Sequence, residues 1–147
     1  MHSRVKGKSD SKRPTRAKKP EWVGLSSEEV EDAVERLARD GNSPSKIGVI
    51  IRDQYGIPDI TMVCKKRVTQ ILREKKIAPA IPEDLNNLIK KAVKLRAHLA
   101  ANKKDKNNTR GLALIESKIH RLSNYYKSTG KLPSDYRYDP EKARLEV

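Results

Sequence analysis

The chain has 147 residues, and its 33 Lys and Arg exceed its 19 Asp and Glu by a formal net charge of +14. That surplus predicts a polyanionic partner, nucleic acid before an anionic membrane surface. Aromatic residues make up only 4% and Phe is absent, so the composition favours small helical layers over one large core. No stretch approaches the ~20 apolar residues of a membrane span.

For its length, the N-terminal segment has the largest excess of positive over negative residues. Residues 1–20 contain eight Lys or Arg and one acid, Asp10. Too little apolar surface is present to offset the entropy of ordering, so we expect disorder in the free protein. Residues 1–25 are therefore predicted to be a basic arm that contacts RNA phosphates, with a solubilising tail as the alternative. The segment lacks the apolar run of a signal peptide, which predicts a cytoplasmic protein.

Residues 26–76 are predicted to form a small module of three helices. In "LSSEE", Ser26 has the position of an N-cap, and Glu29 stands at the spacing of a capping box. Apolar residues then follow at one-face helical spacing up to Gly41, which suits a left-handed helix end.

The second helix begins with Ser43 as its cap and ends at Gly56. A third helix begins near Asp59 or Thr61. Its apolar face consists of Cys64, Val68, Ile71 and Leu72.

A Pro-bounded linker at 77–82 precedes a helical hairpin at 83–130, and a polar tail covers 131–147. In both hairpin helices the apolar residues recur at alternating steps of three and four, which is typical of coiled-coil packing between antiparallel helices. These residues are Leu85, Leu88, Ala92, Leu95 and Leu99 in the first helix, and Leu112, Ile115, Ile119, Leu122 and Tyr126 in the second. In the tail, at most a last helical turn is expected at Glu141–Leu145. The predicted fold class is all-α.

The connector of the hairpin is the first candidate site. Its predicted RNA-binding residues are His98, Asn102, Lys103, Lys104, Asp105, Asn108, Arg110 and Gly111. Asp105 is the only acid there, and phosphate would repel it unless it accepts hydrogen bonds from base amino groups or from its own backbone. Gly111 would allow the close approach of a nucleic-acid backbone. The alternative is a charged, soluble turn in which Asn107 or Asn108 caps the next helix.

The far end of the second hairpin helix is the second candidate site. Its predicted RNA-binding residues are Arg121, Tyr125 and Lys127, with His120 and Lys131 nearby. A tyrosine beside cations can stack on an unpaired base or bond a phosphate. Tyr126, which lies on the apolar seam, is expected to pack instead.

A helix, a turn and a basic helix within 43–76 resemble a helix-turn-helix DNA reader, which gives a DNA-binding regulator as the alternative function. No Gly-rich phosphate loop, Ser/His/Asp arrangement or Cys/His cluster occurs, so we expect no enzyme, no cofactor and no metal site. Cys64, the only cysteine, excludes an internal disulfide and is expected to be a small buried hydrophobe.

One stretch resembles a known family. "LRAHLAANKKDKNNTRGLALIESKIHRLSNYYKSTGKLP" (Leu95 to Pro133) is similar to small-subunit ribosomal protein fifteen, through its His–Leu pair, Lys-Lys-Asp turn, Arg-Gly-Leu helix start and later Arg-Leu with Tyr. "SPSKIGVIIRDQYGIPDI" and "PEDLNNLIKKAVKLR" resemble the archaeal and eukaryotic branch of that family, called ribosomal protein thirteen in eukaryotes. The resemblance covers the chain from Trp22 onward.

The resemblance implies a ribosome-bound structural protein. Its RNA partner would be the central domain of the small-subunit rRNA, contacted at a three-way junction and at a minor-groove site. The minor-groove residues of the family are a His, an Asp and a Ser; His98 and Asp105 match the first two, and Asn108 stands in place of the Ser. Tyr125 and the residues around Lys127 match the junction-facing part. Neighbouring small-subunit proteins are implied partners, and a contact with the large subunit is left open.

The family's Thr-Gly turn before the hairpin is replaced here by "APAIPED". No residue of that turn is therefore assigned a role.

Overall fold

The computed structural model describes residues 19–146, with side chains for residues 19–143. Within this range the chain forms seven helices and no strand, which confirms the all-α prediction. The helices are α1 Ser27–Arg39, α2 Pro44–Tyr55, α3 Ile60–Cys64, α4 Val68–Glu74, α5 Glu83–Ala101, α6 Lys106–Ser128 and α7 Pro140–Glu146. The chain divides into two compact units, Met1–Ile77 and Ala78–Val147. Most of the predicted arm lies outside the described residues.

The first two helices begin where their caps predict. Ser26 accepts a hydrogen bond from the Glu29 amide at 3.3 Å, and the Ser26 amide donates to the Glu29 carboxylate at 2.7 Å, which is the reciprocal capping box. Ser43 caps α2 by accepting from the Lys46 amide at 3.4 Å. Gly56 ends α2 in the left-handed conformation with φ 66°.

The predicted third helix is in fact two helices, so the N-terminal module has four helices rather than three. Lys65 adopts φ 55°, a left-handed conformation that stops α3. Arg67 is then extended, and its amide donates to the Gln70 side chain at 2.8 Å as α4 begins. The break lets both short helices pack against α1. Cys64 and Leu72 are both buried although the helix between them is interrupted.

The core of the N-terminal unit consists of aliphatic side chains from all four helices and the adjoining loops. Its buried members are Val23, Val30, Val34, Ile47, Ile51, Ile57, Ile60, Cys64, Ile71 and Leu72. Ion pairs join the basic α3–α4 region to α1: Lys66 contacts Glu31 at 3.4 Å, and Lys75 contacts Glu35 at 3.1 Å. Several cations of this unit are thus balanced internally.

The C-terminal unit is built on the antiparallel pair α5 and α6. Tyr126, near the end of α6, donates to Asp84 in the first turn of α5 at 2.5 Å. Arg96 and Glu116 form an ion pair further along the same two helices. Buried core residues are Leu85, Ile89, Ala92, Ile119, Tyr126, Leu132 and Ala143.

The predicted seam supplies four of these seven residues and omits Ile89 and Leu132; Ile89 lies one position after Leu88 and is more buried than it. Ala143 belongs to α7, which packs against α5. This helix extends the single turn that the sequence predicts there.

Candidate nucleic-acid interface

Asp105 begins α6 as its N-cap. Its carboxylate accepts the Asn108 amide at 3.0 Å and the Asn108 side-chain NH₂ at 2.6 Å. These two bonds, and then the contact with His98, lower the pKa of the Asp105 carboxyl. The alternative that Asn107 or Asn108 caps this helix is therefore wrong. The carboxylate thus finds its hydrogen-bond donors within the connector, and the surrounding lysines favour its negative charge.

His98, in the last turn of α5, completes a hydrogen-bonded connector. Its Nε2 lies 3.2 Å from Asp105 Oδ2. Because a carboxylate only accepts, this ring nitrogen must carry the proton. Nδ1 is then free of a proton in the neutral ring and can accept from the Asn102 NH₂ at 3.4 Å. Asn102 also donates to the His98 carbonyl at 3.0 Å, and Asp105 donates its amide to the Asn102 carbonyl at 3.1 Å.

The connector faces an open depression edged by cations. The depression is lined by His98, Ala101, Asn102, Lys103, Lys104 and Asp105. The His98 side chain is 45% exposed and that of Asp105 is 29% exposed. Three donors occupy the carboxylate, which offers roughly four lone-pair sites, so one acceptor site on Oδ1 remains for a ligand. A cationic rim around a fixed acceptor suits a ligand that carries both phosphates and amino groups.

Gly111 lies on α6 beside α5 rather than in open solvent. A Cβ placed there would meet the Leu95 side chain at 3.9 Å and Asn108 Oδ1 at 4.0 Å, both ordinary van der Waals distances. The packing of the protein itself therefore does not require glycine. Arg110, its neighbour, is exposed.

The second candidate site exposes Tyr125 and buries Tyr126. The Tyr125 side chain is 56% exposed, and Tyr126 is 7% exposed. A shallow depression is lined by Leu88, Lys118, Arg121, Leu122 and Tyr125. Lys118 was missed from the sequence, although Lys118, Arg121 and Tyr125 follow at i, i+3 and i+7 on one helix face. Lys127 does not line this depression.

Tyr125 contacts the Tyr126 ring, with centroids 5.4 Å apart, and the two neighbours of this site also contact tyrosine rings. His120 makes an edge-to-face contact with Tyr138, with ring centroids 6.0 Å apart. Lys131 lies over the Tyr126 ring at 5.3 Å, as a cation–π contact. Both therefore take part in packing around the hairpin base.

Other chemistry is sparse in the part of the chain that is described. No three His, Cys, Asp or Glu side chains among those residues are grouped to hold a metal ion. Cys64 is buried, its thiol donates to the Ser27 carbonyl at 3.5 Å, and burial raises the pKa of that thiol. None of the described helices is long and apolar enough to cross a membrane.

Comparison with known proteins places this helical chain among the ribosomal proteins. Residues 1–57 match the family described as the ribosomal S13/S15 N-terminal domain, and residues 68–146 match the family described as ribosomal protein S15. The small ribosomal subunit protein uS15 of Sulfolobus acidocaldarius is 51% identical over 144 residues, which cover 98% of this chain and 94% of that protein. The protein of the same name from Methanococcoides burtonii is 49% identical over 147 residues, covering 100% and 97%.

The chain belongs to the uS15 family of ribosomal proteins. The resemblance stated from the hairpin motifs is thereby confirmed. Since this family is structural and not enzymatic, the prediction that the chain is not an enzyme is confirmed as well.

Proposed function

We propose that the chain is a structural constituent of the small ribosomal subunit and binds central-domain rRNA through α5 and α6. The observation that carries the proposal is the hydrogen-bonded group of His98, Asn102, Asp105 and Asn108, held in place at the tip of a basic hairpin. Such a group is ordered before binding, so little entropy is lost when RNA docks. Neighbouring small-subunit proteins would be its other partners.

The tip suits the minor groove of an RNA helix. That groove is wide and shallow in A-form RNA and displays guanine amino groups and 2′-hydroxyls. The remaining acceptor site of Asp105 can take a guanine amino hydrogen, while Lys103 and Lys104 contact the flanking phosphates. Asn108, whose NH₂ already holds the carboxylate, would act by positioning Asp105.

The far end of α6 suits a junction. The exposed ring of Tyr125 can stack on an unpaired base, and Arg121 and Lys127 can contact phosphates. Twenty residues separate Asp105 from Tyr125, which corresponds to roughly 30 Å along a helix. A rigid element with two contacts at that spacing favours the RNA arrangement that presents both at once, and so stabilises a compact junction. The proposal also allows a contact of this hairpin with the large subunit, but it does not depend on one.

No observation favours the DNA-regulator alternative. The expected recognition helix is interrupted at Lys65, and α4 is only seven residues long. Lys66 and Lys75 are paired with acids, including Glu31 and Glu35 of α1.

A cap-preserving substitution tests the tip. Asp105→Ser keeps a good N-cap but removes the carboxylate, whereas Asp105→Ala also costs about 1 kcal/mol of helix stability. Binding to a junction-bearing rRNA fragment should weaken by about 1–3 kcal/mol in Asp105→Ser and in His98→Ala, with little change in the salt dependence. Equilibrium binding at several salt concentrations measures both quantities. Asn107→Ser, an exposed change in the same turn, is the matched control. Unchanged affinity in Asp105→Ser would show that the tip is only a solvated turn.

A further inference from the structure

Trp22 is the one aromatic side chain whose exposure the hairpin does not explain. It is the only tryptophan of the chain, and it is 75% exposed, more than any other large hydrophobic side chain that the structure describes. Burying such a ring on folding would be favourable. The exposed ring is therefore available for contact with a ligand.

The ring is held in place although it is exposed. The Val23 amide donates to the Pro20 carbonyl at 3.1 Å and closes a turn around Trp22. Val23 itself is 5% exposed and anchors this turn in the core. The indole N–H donates to the Gly56 carbonyl at 3.1 Å, at the end of α2. The polar edge of the ring is thus satisfied, and a flat apolar surface is left for contact.

The charge around Trp22 is divided sharply along the chain. Residues 19–77 contain 11 Lys or Arg and 10 Asp or Glu, so the helical part of the N-terminal unit is nearly neutral. Residues 1–18 contain seven Lys or Arg and one Asp, and they join this unit at Lys19, three residues before Trp22. A polyanion attracted to residues 1–18 is therefore brought to the position of the ring.

We propose that Trp22 is a stacking platform for an unpaired RNA base at the point where the basic segment joins the folded unit. Stacking on an aromatic ring needs no base-specific hydrogen bond, and it suits a helical unit whose net charge is close to zero. The adjoining polycation favours RNA over a protein partner, whose surface is rarely so uniformly anionic. The inference extends the proposed rRNA binding by a site outside the hairpin.

Fluorescence tests this directly, because Trp22 is the sole tryptophan and red-edge excitation reports on it alone. The full-length protein is titrated with a single-stranded oligoadenylate of about ten nucleotides, and with an abasic oligomer of equal length and charge. Dye-labelled oligomers verify by anisotropy that both are bound at saturation. Quenching by the oligoadenylate well beyond that by the abasic oligomer is expected. Equal effects of the two bound oligomers would overturn the proposal.

Substitutions separate stacking from apolar contact. Trp22→Leu should weaken oligoadenylate binding about tenfold at unchanged salt dependence, and Trp22→Phe, which keeps a ring but loses the N–H, should lose much less. Val49→Ala, another exposed apolar position of this unit, serves as control and should bind normally. Circular dichroism checks that each variant is folded. If Trp22→Leu binds like the unsubstituted protein, the ring serves another partner, such as a protein, and the proposal is wrong.

The junction-bearing rRNA fragment is measured in parallel. If Asp105→Ser still weakens binding to this fragment while Trp22→Leu has no effect on oligoadenylate binding, the Trp22 site alone is refuted. Loss of the Asp105 effect would refute the hairpin proposal and leave the fluorescence result to stand by itself.

Discussion

Asp105 combines a folding role with the proposed binding role. A carboxylate at a helix N-terminus is favoured by the helix dipole and by the unpaired amides of the first turn. The same bonds fix the direction of its remaining lone pair. The sequence singled out Asp105 but did not predict that it is the N-cap of α6. Asn107 and Asn108 are equally good N-cap residues, and only the path of the connector selects among the three.

Gly111 is the residue where stability and binding should conflict. Ala in place of Gly inside a helix is worth about 1 kcal/mol, and the added Cβ finds only ordinary contacts with Leu95 and Asn108. Gly111→Ala should therefore raise the free energy of unfolding in a urea titration while it weakens binding to the rRNA fragment. Ala113→Gly on the exposed side of α6 is the converse control and should lower stability by about 1 kcal/mol. If Gly111→Ala binds RNA normally, close backbone approach at this position is excluded.

Lys65 holds a conformation that glycine adopts at little cost. Its φ of 55° is left-handed, and this conformation costs an L-residue about 1 kcal/mol or more. Lys65→Gly should raise the midpoint of thermal unfolding, with a gain of roughly 0.5 kcal/mol after the larger entropy of the unfolded chain is counted. Arg73→Gly, inside α4, should instead destabilise by about 0.5–1 kcal/mol. A destabilised Lys65→Gly would indicate that the lysine side chain has a packing role.

At the scale of the helices, Tyr126 links the start of α5 to the end of α6. Burial first, and then the hydrogen bond to the Asp84 carboxylate, raise the pKa of Tyr126 to about 12. The neutral phenol is thus favoured in the folded state, so its stabilisation is present below an unfolded pKa of about 10 and is lost as pH rises toward 12.

Denaturant titrations between pH 9 and pH 12 should therefore show falling stability, and Tyr126→Phe should show a smaller fall. At neutral pH the variant should be about 1 kcal/mol less stable, because the hydrogen bond is lost. Tyr125→Phe, whose ring is exposed, is the matched control and should follow the unsubstituted protein. An identical pH dependence in Tyr126→Phe would locate the alkaline transition elsewhere.

The elements with local signals could be predicted, and those that depend on tertiary contacts could not. Ser26 and Ser43 carry their caps in the sequence, so α1 and α2 begin as expected. The apolar periodicity does not predict the break at Lys65, because helical spacing continues across it through Cys64, Val68, Ile71 and Leu72. α7 is polar and short, and only its docking against α5 makes it a stable helix.

The candidate site shows the same division at the level of single side chains. The connector's polar residues and the exposure of Tyr125 followed from the hairpin register. The edge contact of His120 with Tyr138 did not, because it depends on where the tail folds back. Lys118 was not predicted, because it lies one helical turn before the Arg-Leu and Tyr motif that contains Arg121 and Tyr125.

Over the whole molecule, the net charge is concentrated at two places. Residues 1–18 contain seven Lys or Arg and one acid, residues 19–77 are nearly balanced, and residues 78–147 contain 15 Lys or Arg and eight acids. Along the sequence, the two charged parts stand before and after the nearly neutral residues 19–77. We therefore expect electrostatic attraction to RNA to come from the N-terminal segment and from the hairpin unit independently.

Deletion of residues 1–18 should thus separate the electrostatic attraction to RNA from the preference for one RNA structure over another. Each phosphate contact contributes about 0.7–0.9 to the slope of log K against log salt, so the deletion should flatten this slope by several units. It should leave intact the preference for a junction-bearing fragment over a plain RNA duplex, because the tip and Tyr125 remain. Asp105→Ser should do the reverse, with an unchanged slope and a reduced preference. If the deletion abolishes the preference and Asp105→Ser does not, specificity resides in the N-terminal segment and not in the hairpin.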